Sequence, residues 1–145
     1  MSAPIETVLL IDDSDADNFL HRRAIESTDL VGDVVICPDG EAGLAYLHER
    51  IQAHRPLPEL VLLDINMPRM TGWEFLEAYE AIPAPTRAGT ALYVLSGTLN
   101  PADHERARQH AVVSGFRSKS LTPEMLSEMI RDLREVEHPD DGTRP

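Results

Sequence analysis

Five side chains in this sequence could do chemistry together if the fold gathered them. Asp12 and Asp13 follow an apolar run in "VLLIDDSDAD", and Asp64 ends another in "LVLLDINMPRMTGW". Ser96 closes a third, "ALYVLSGT", and Lys119 lies just past a fourth strand-like stretch, "SGFRSKS". With a reference pKa of ~3.9, all three carboxylates should be ionised at pH 7. Two such charges ~4 Å apart repel by ~4 kcal/mol at an effective dielectric near 20. Gathered, they call for a cation. Oxygen donors without cysteine or histidine select a hard ion, and Mg2+ typically takes one or two carboxylates together with phosphate oxygens. The chemistry that fits is phosphoryl transfer, which relies on positioning and charge neutralisation. Asp64 would attack to form an aspartyl phosphate, Asp12 and Asp13 would hold Mg2+, and Ser96 and Lys119 would bind the phosphoryl oxygens.

Only a particular architecture can bring these residues together. Five short β-like runs, at 7–11, 33–37, 59–63, 90–96 and 114–118, alternate with helical patterns. The first four are continuously apolar, as parallel strands covered on both faces are. Each helical stretch offers an apolar face: Ala16, Phe19, Leu20 and Ala24 in the first; Leu44, Leu47 and Ile51 in the second; Phe75, Leu76, Tyr79 and Ile82 in the third. The fourth, in "PADHERARQHA", has only alanines to bury. The fifth starts at Thr122 as N-cap with Pro123 at N1 and buries Leu126, Ile130 and Leu133. "QAHRPLP" and "PAPTRAG" read as loops. This alternation predicts an α/β fold, a doubly wound five-stranded parallel sheet of the flavodoxin-like (βα)5 kind with strand order 2-1-3-4-5. Strands one and three are then neighbours, and ligands sit beyond their carboxyl ends.

Composition narrows the rest. The length, 145 residues, suits one domain. A net charge of -12 with no basic stripe argues against nucleic acid as a partner. No apolar run approaches the ~20 residues of a membrane span. The single cysteine and the lack of a secretory leader point to the cytoplasm.

Taken together, "IDDS", "LLDINMP", "VLSGT" and "GFRSKS" resemble the receiver domains of two-component response regulators. The likeness spans about residues 7–136, so the domain is set at 7–137 with tails at 1–6 and 138–145. The resemblance implies that Asp64 is the phosphoacceptor and that Asn66 adds a backbone carbonyl to the Mg2+ ligands Asp12, Asp13 and Asp64. It makes Ser96 the switch hydroxyl beside Lys119, gives Asn66 and Thr98 modulating positions, and makes Phe116 the strand-five aromatic that moves. The surface of the fourth helix, fifth strand and fifth helix would be remodelled. The phosphodonor would be a sensor histidine kinase, and the output a downstream protein or a phosphotransfer partner, with a homodimer left open. No enzymatic activity is implied beyond self-phosphorylation and autodephosphorylation.

Three departures stand out. Nothing follows the receiver, as in stand-alone members, so its surface would be its output. Phe116 lacks a hydroxyl, so its movement would act through packing. Ser120 replaces the proline usual after the lysine. Because a cis bond costs ~3 to 4 kcal/mol before serine but only ~0.5 to 1 kcal/mol before proline, a trans bond is expected, and with it a partner or dimer mode particular to this chain.

Plainer readings exist for several residues. Ser14 and Asp17 form a helix-capping pattern that leaves Asp12 and Asp13 unexplained. Gly72 reads as a spacer between loop and helix, and Asn66 as turn chemistry. His48 and His54 lack the spacing of paired metal ligands and read as solvated. Ser96 lacks a nucleophile-elbow motif. Cys37, Met125 and Met129 read as core. Two rival functions remain: an aspartate-nucleophile phosphohydrolase resembling the haloacid-dehalogenase type, and a receiver-like interaction protein that is never phosphorylated. The first wants a second acid two residues after Asp64, where Asn66 stands and cannot transfer a proton. The second would have lost pocket residues.

Overall fold

A computed structural model describes residues 4–67, 70–97 and 100–137. The elements run β1 (Ile5–Ile11), α1 (Asp15–Glu26), β2 (Val31–Cys37), α2 (Gly40–Gln52), β3 (Leu60–Asp64), α3 (Gly72–Glu80), α4 (Ala84–Arg87), β4 (Ala91–Ser96), α5 (Pro101–Arg108), β5 (Val113–Ser118) and α6 (Pro123–Glu137). All strand pairs are parallel, and the order is β2-β1-β3-β4-β5 as the alternation predicts. β3 and β4 are buried along their whole length, which accounts for their unbroken apolarity.

The sheet separates two cores. Leu9, Ile11, Leu63 and Val94 face Leu47 of α2, Phe75, Leu76 and Tyr79 of α3 and Ala107 of α5. Val8, Leu10, Leu62 and Leu95 face Ile25 of α1 and Leu126, Met129, Ile130 and Leu133 of α6. Cys37 is buried in the first core and Met129 in the second, with Met125 packed beside it, as expected. Thr122 caps α6 by accepting the Met125 N–H at 3.1 Å. α5 buries only Ala107, so polar contacts hold it instead. The Arg106 guanidinium lies 4.4 Å from the Trp73 ring centroid, and His110 just beyond α5 pairs with Glu80 at 2.9 Å.

Three expectations change. β1 begins at Ile5 rather than Thr7, because Ile5 is buried and its N–H donates to the Leu30 carbonyl at 3.1 Å. "PAPTRAG" contains the single helical turn α4, started by Pro83 and Pro85 and tied down by Arg87 Nε donating to the Ile82 carbonyl. The largest change is the face of α1. Phe19 and Leu20 are 58% and 52% exposed, while the buried residues are Asn18, His21 and Ile25. Asn18 Nδ2 donates to the Asp12 carbonyl at 2.9 Å, which turns the polar stripe inward and the aromatic outward. No helix among the described residues is long and apolar enough to cross a membrane.

Candidate functional site

Ile11 pairs with Leu63 in the β1–β3 register, so Asp12 and Asp64 leave adjacent strands at the same level. Both are held by the same local device. Asp12 Oδ1 accepts the Ser14 N–H at 2.9 Å, and Asp64 Oδ1 accepts the Asn66 N–H at 3.0 Å, each bond closing a turn two residues long. The second oxygen of each faces the pocket. Lys119 Nζ lies 2.8 Å from Asp12 Oδ2 and 3.5 Å from Asp64 Oδ2. Asp12 and Asp64 are buried and Asp13 is exposed at the mouth. One oxygen from each of the three lies within 4.8 Å of the others, a hard oxygen donor set that fits a divalent cation.

Ser96 is fully buried at the end of β4, and its carbonyl accepts the Lys119 N–H at 2.8 Å. That bond places the lysine beside the strand ends. Phe116 pairs with Val94 in the β4–β5 register, is half-buried, and stacks on His104 of α5 with ring centroids 5.0 Å apart. Asn66 is exposed in the loop after Asp64. Thr98 lies outside the described residues. His48 and His54 are exposed, away from any metal cluster among the described residues.

The Lys119–Ser120 peptide bond is cis, contrary to the trans bond expected from serine. Lys119 is fixed at both ends, by its N–H on Ser96 and its ammonium among the carboxylates, so the surrounding fold rather than the intrinsic preference of one peptide bond decides the local path. The separate partner or dimer mode inferred from a trans bond loses its premise.

The electrostatics differ from those of three equivalent carboxylates. Burial pushes the Asp64 carboxyl up to about 6; the Asn66 N–H and Lys119 pull against this, and Asp12 and Asp13 add to it. Burial pulls the Lys119 ammonium down, but hydrogen bonds to Asp12 and Asp17 and the charge of Asp64 outweigh it and hold it above its usual range.

Three residues escaped the sequence reading. Asp17 bonds Lys119 Nζ at 2.7 Å. Asn18 anchors the β1–α1 turn, and buried His21 lies close enough to Asp12 and Lys119 to feel both charges. Burial keeps His21 below its usual pKa, and its Nε2 and the Asn18 Oδ1 have no hydrogen-bond partner among the described residues. The spacing of Asn18, His21 and Ile25 at i, i+3 and i+7 was the available signal, obscured because two of the three are polar.

Comparison with known proteins agrees with this geometry. The family model for the response regulator receiver domain matches residues 8–131. Response regulator Rcp1 of Synechocystis sp. is 28% identical over 133 residues, covering 91% of this chain and 88% of Rcp1. A two-component response regulator from Cytophaga hutchinsonii superposes with a TM-score of 0.84 at 32% identity, covering 90% of this chain and 98% of that one. The Mn2+-bound form of Rcp1 superposes with a TM-score of 0.67 at 27% identity, covering 89% and 91%. With the doubly wound sheet, the acidic cluster and the lysine all in place, this chain belongs to the response regulator receiver domain family, the phosphoacceptor modules of two-component signalling.

Proposed function

We propose that Asp64 accepts a phosphoryl group from the phosphohistidine of a sensor histidine kinase, in a reaction that depends on Mg2+ held by Asp12, Asp13, Asp64 and the backbone carbonyl of Asn66. The observation that carries this reading is the Oδ2 of Asp64, facing Lys119 inside a cluster of three carboxylates at the ends of adjacent strands. The Mn2+-bound form of the similar Rcp1 supports a divalent ion here. When bound, the cation supplies positive charge for the carboxylates and the phosphoryl oxygens. An oxygen of Asp64 bonds to phosphorus as the bond from phosphorus to the donor breaks, and the electron pair leaves with the donor: an imidazole nitrogen from phosphohistidine, or acetate from acetyl phosphate. Lys119 and the Ser96 hydroxyl take the phosphoryl oxygens. Phe116, with Asn66 and Thr98 modulating, passes the change to the surface of α5, β5 and α6, where a downstream protein or phosphotransfer partner binds. Water later cleaves the acyl phosphate.

Incubation with Mg2+ and acetyl phosphate should add one phosphoryl group by intact mass, removable by hydroxylamine and absent when Mg2+ is withheld. An adduct mapping to another residue, or no adduct, overturns the assignment. Asp13→Ala should abolish measurable Mg2+ affinity by calorimetry. It should also raise metal-free thermal stability, though by less than a change at Asp64, since Asp13 is exposed and screened. Strong Mg2+ binding by the variant removes Asp13 from the ligand set.

A further inference from the structure

Asp17 and Ser14 form only half of a capping box. Ser14 Oγ accepts the Asp17 N–H at 3.1 Å, but the return bond from the N3 carboxylate to the N-cap N–H is missing, because Asp12 Oδ1 already takes the Ser14 N–H. In α3 the corresponding box is complete, with Thr71 and Glu74 bonded both ways. The Asp17 carboxylate thus makes no bond to the N-cap backbone N–H; beside its contact with the Ser14 side chain, its Oδ2 holds Lys119 at 2.7 Å.

Lys119 consequently has two kinds of partner. Asp12 and Asp64 are also members of the candidate metal cluster, whereas Asp17 is not. An ammonium bonded to Asp12 Oδ2 and a dication drawn to the same carboxylate repel each other. The hydrogen bond from Lys119 holds the Asp17 carboxyl below its usual range despite some burial, which favours its charged form.

We propose that Asp17 is a positioning residue that keeps the Lys119 ammonium when a divalent cation takes Asp12 and Asp64, so that a carboxylate outside the ligand set governs the metal affinity of the pocket. This rests on the metal site of the proposed function. Without Asp17, Lys119 stays on Asp12 and competes with the ion.

The test is a calorimetric Mg2+ titration of the metal-free full chain, which needs no phosphorylation. Asp17→Asn should weaken Mg2+ by about fivefold or more, the scale of a part-buried ion pair. Asp17→Glu should recover most of the loss. Asp15→Asn, which removes one charge from the same helical turn without touching the lysine, should change affinity by less than about twofold. In a Lys119→Met background, Asp17→Asn should have no more effect than Asp15→Asn. An Asp17→Asn loss that persists undiminished without Lys119, or that Asp15→Asn matches, overturns the proposal while leaving the metal site standing. A parent protein that binds no Mg2+ overturns both.

Discussion

Asp64→Asn should melt about 6 to 10 °C above the parent protein at pH 7.5 in metal-free buffer, and the gap should shrink towards zero near pH 4. Burial pushes the Asp64 carboxyl up to about 6 in the fold, from its ordinary value of 3.8 in the unfolded chain. The folded state thus binds this proton more tightly, and its stabilising contribution is present below the unfolded pKa and lost as pH rises through about 6. Above that pH the ionised carboxylate costs about 3 kcal/mol at a site only 5% exposed. Asparagine keeps the shape and the acceptor for the Asn66 N–H without the charge. His21 acts in the opposite sense: its depressed pKa withdraws stability as pH falls below its ordinary value, but it is common to both proteins and cancels in their difference. A melting-temperature gap that stays constant from pH 4 to 7.5 would show that Asp64 is not the strained group. Saturating Mg2+ should close the gap, since only the parent gains from binding. The same variant should take up no phosphoryl group from acetyl phosphate.

Gly72→Ala should lower stability by about 3 kcal/mol and the melting temperature by roughly 10 °C, while also weakening Mg2+ binding. A Cβ at Gly72 would lie 2.5 Å from Ile65 Cα and 2.9 Å from the Asp64 carbonyl oxygen, both backbone atoms. Backbone cannot step aside by rotamer change, so the start of α3 must move away from the loop that follows Asp64. The Gly72 N–H, bonded to the Ile65 carbonyl at 3.2 Å, goes with it. Gly43→Ala offers the comparison. Its Cβ would meet the tip of the Ile11 side chain at 2.6 Å, which can rotate, so the cost should be nearer 1 kcal/mol with metal affinity retained. Equal losses of stability and of Mg2+ affinity in the two variants would refute the argument from backbone contact.

The strands and their order were legible because burial on both faces leaves an unambiguous apolar run, and because a (βα)5 alternation admits few topologies. The acidic cluster followed from that order alone, since β1 and β3 are neighbours. Helix rotation was less legible. Ala16, Phe19, Leu20 and Ala24 satisfy a helical period, yet a periodicity of apolar residues cannot register a hydrogen bond from Asn18 to the Asp12 carbonyl, and that bond sets the buried face. Asp17 was hidden for a related reason. Its spacing from Ser14 matches a capping box, and only the folded structure shows Asp12 taking the N–H that a complete box would use. The Lys119–Ser120 geometry departs from the intrinsic preference of a bond to serine, which carries no information about the contacts that fix Lys119 at both ends.

The shared turn geometry of Asp12 and Asp64 bears on how such a chain can drift over evolutionary time. Each carboxylate uses Oδ1 to close its own backbone turn and Oδ2 to face the pocket. Asparagine supplies the first oxygen and abolishes the charge on the second, and a single base change converts an aspartate codon to an asparagine codon. Shape and charge at these strand ends are therefore separable in one mutational step. A descendant that made this exchange at Asp64 could lose the capacity to be phosphorylated, gain metal-free stability at neutral pH, and keep the backbone turn that follows β3. Alanine would forfeit turn and charge together, and glutamate would carry the charge past the turn it should close, so asparagine is the substitution through which a phosphorylated receiver passes most easily into a constitutive binding protein.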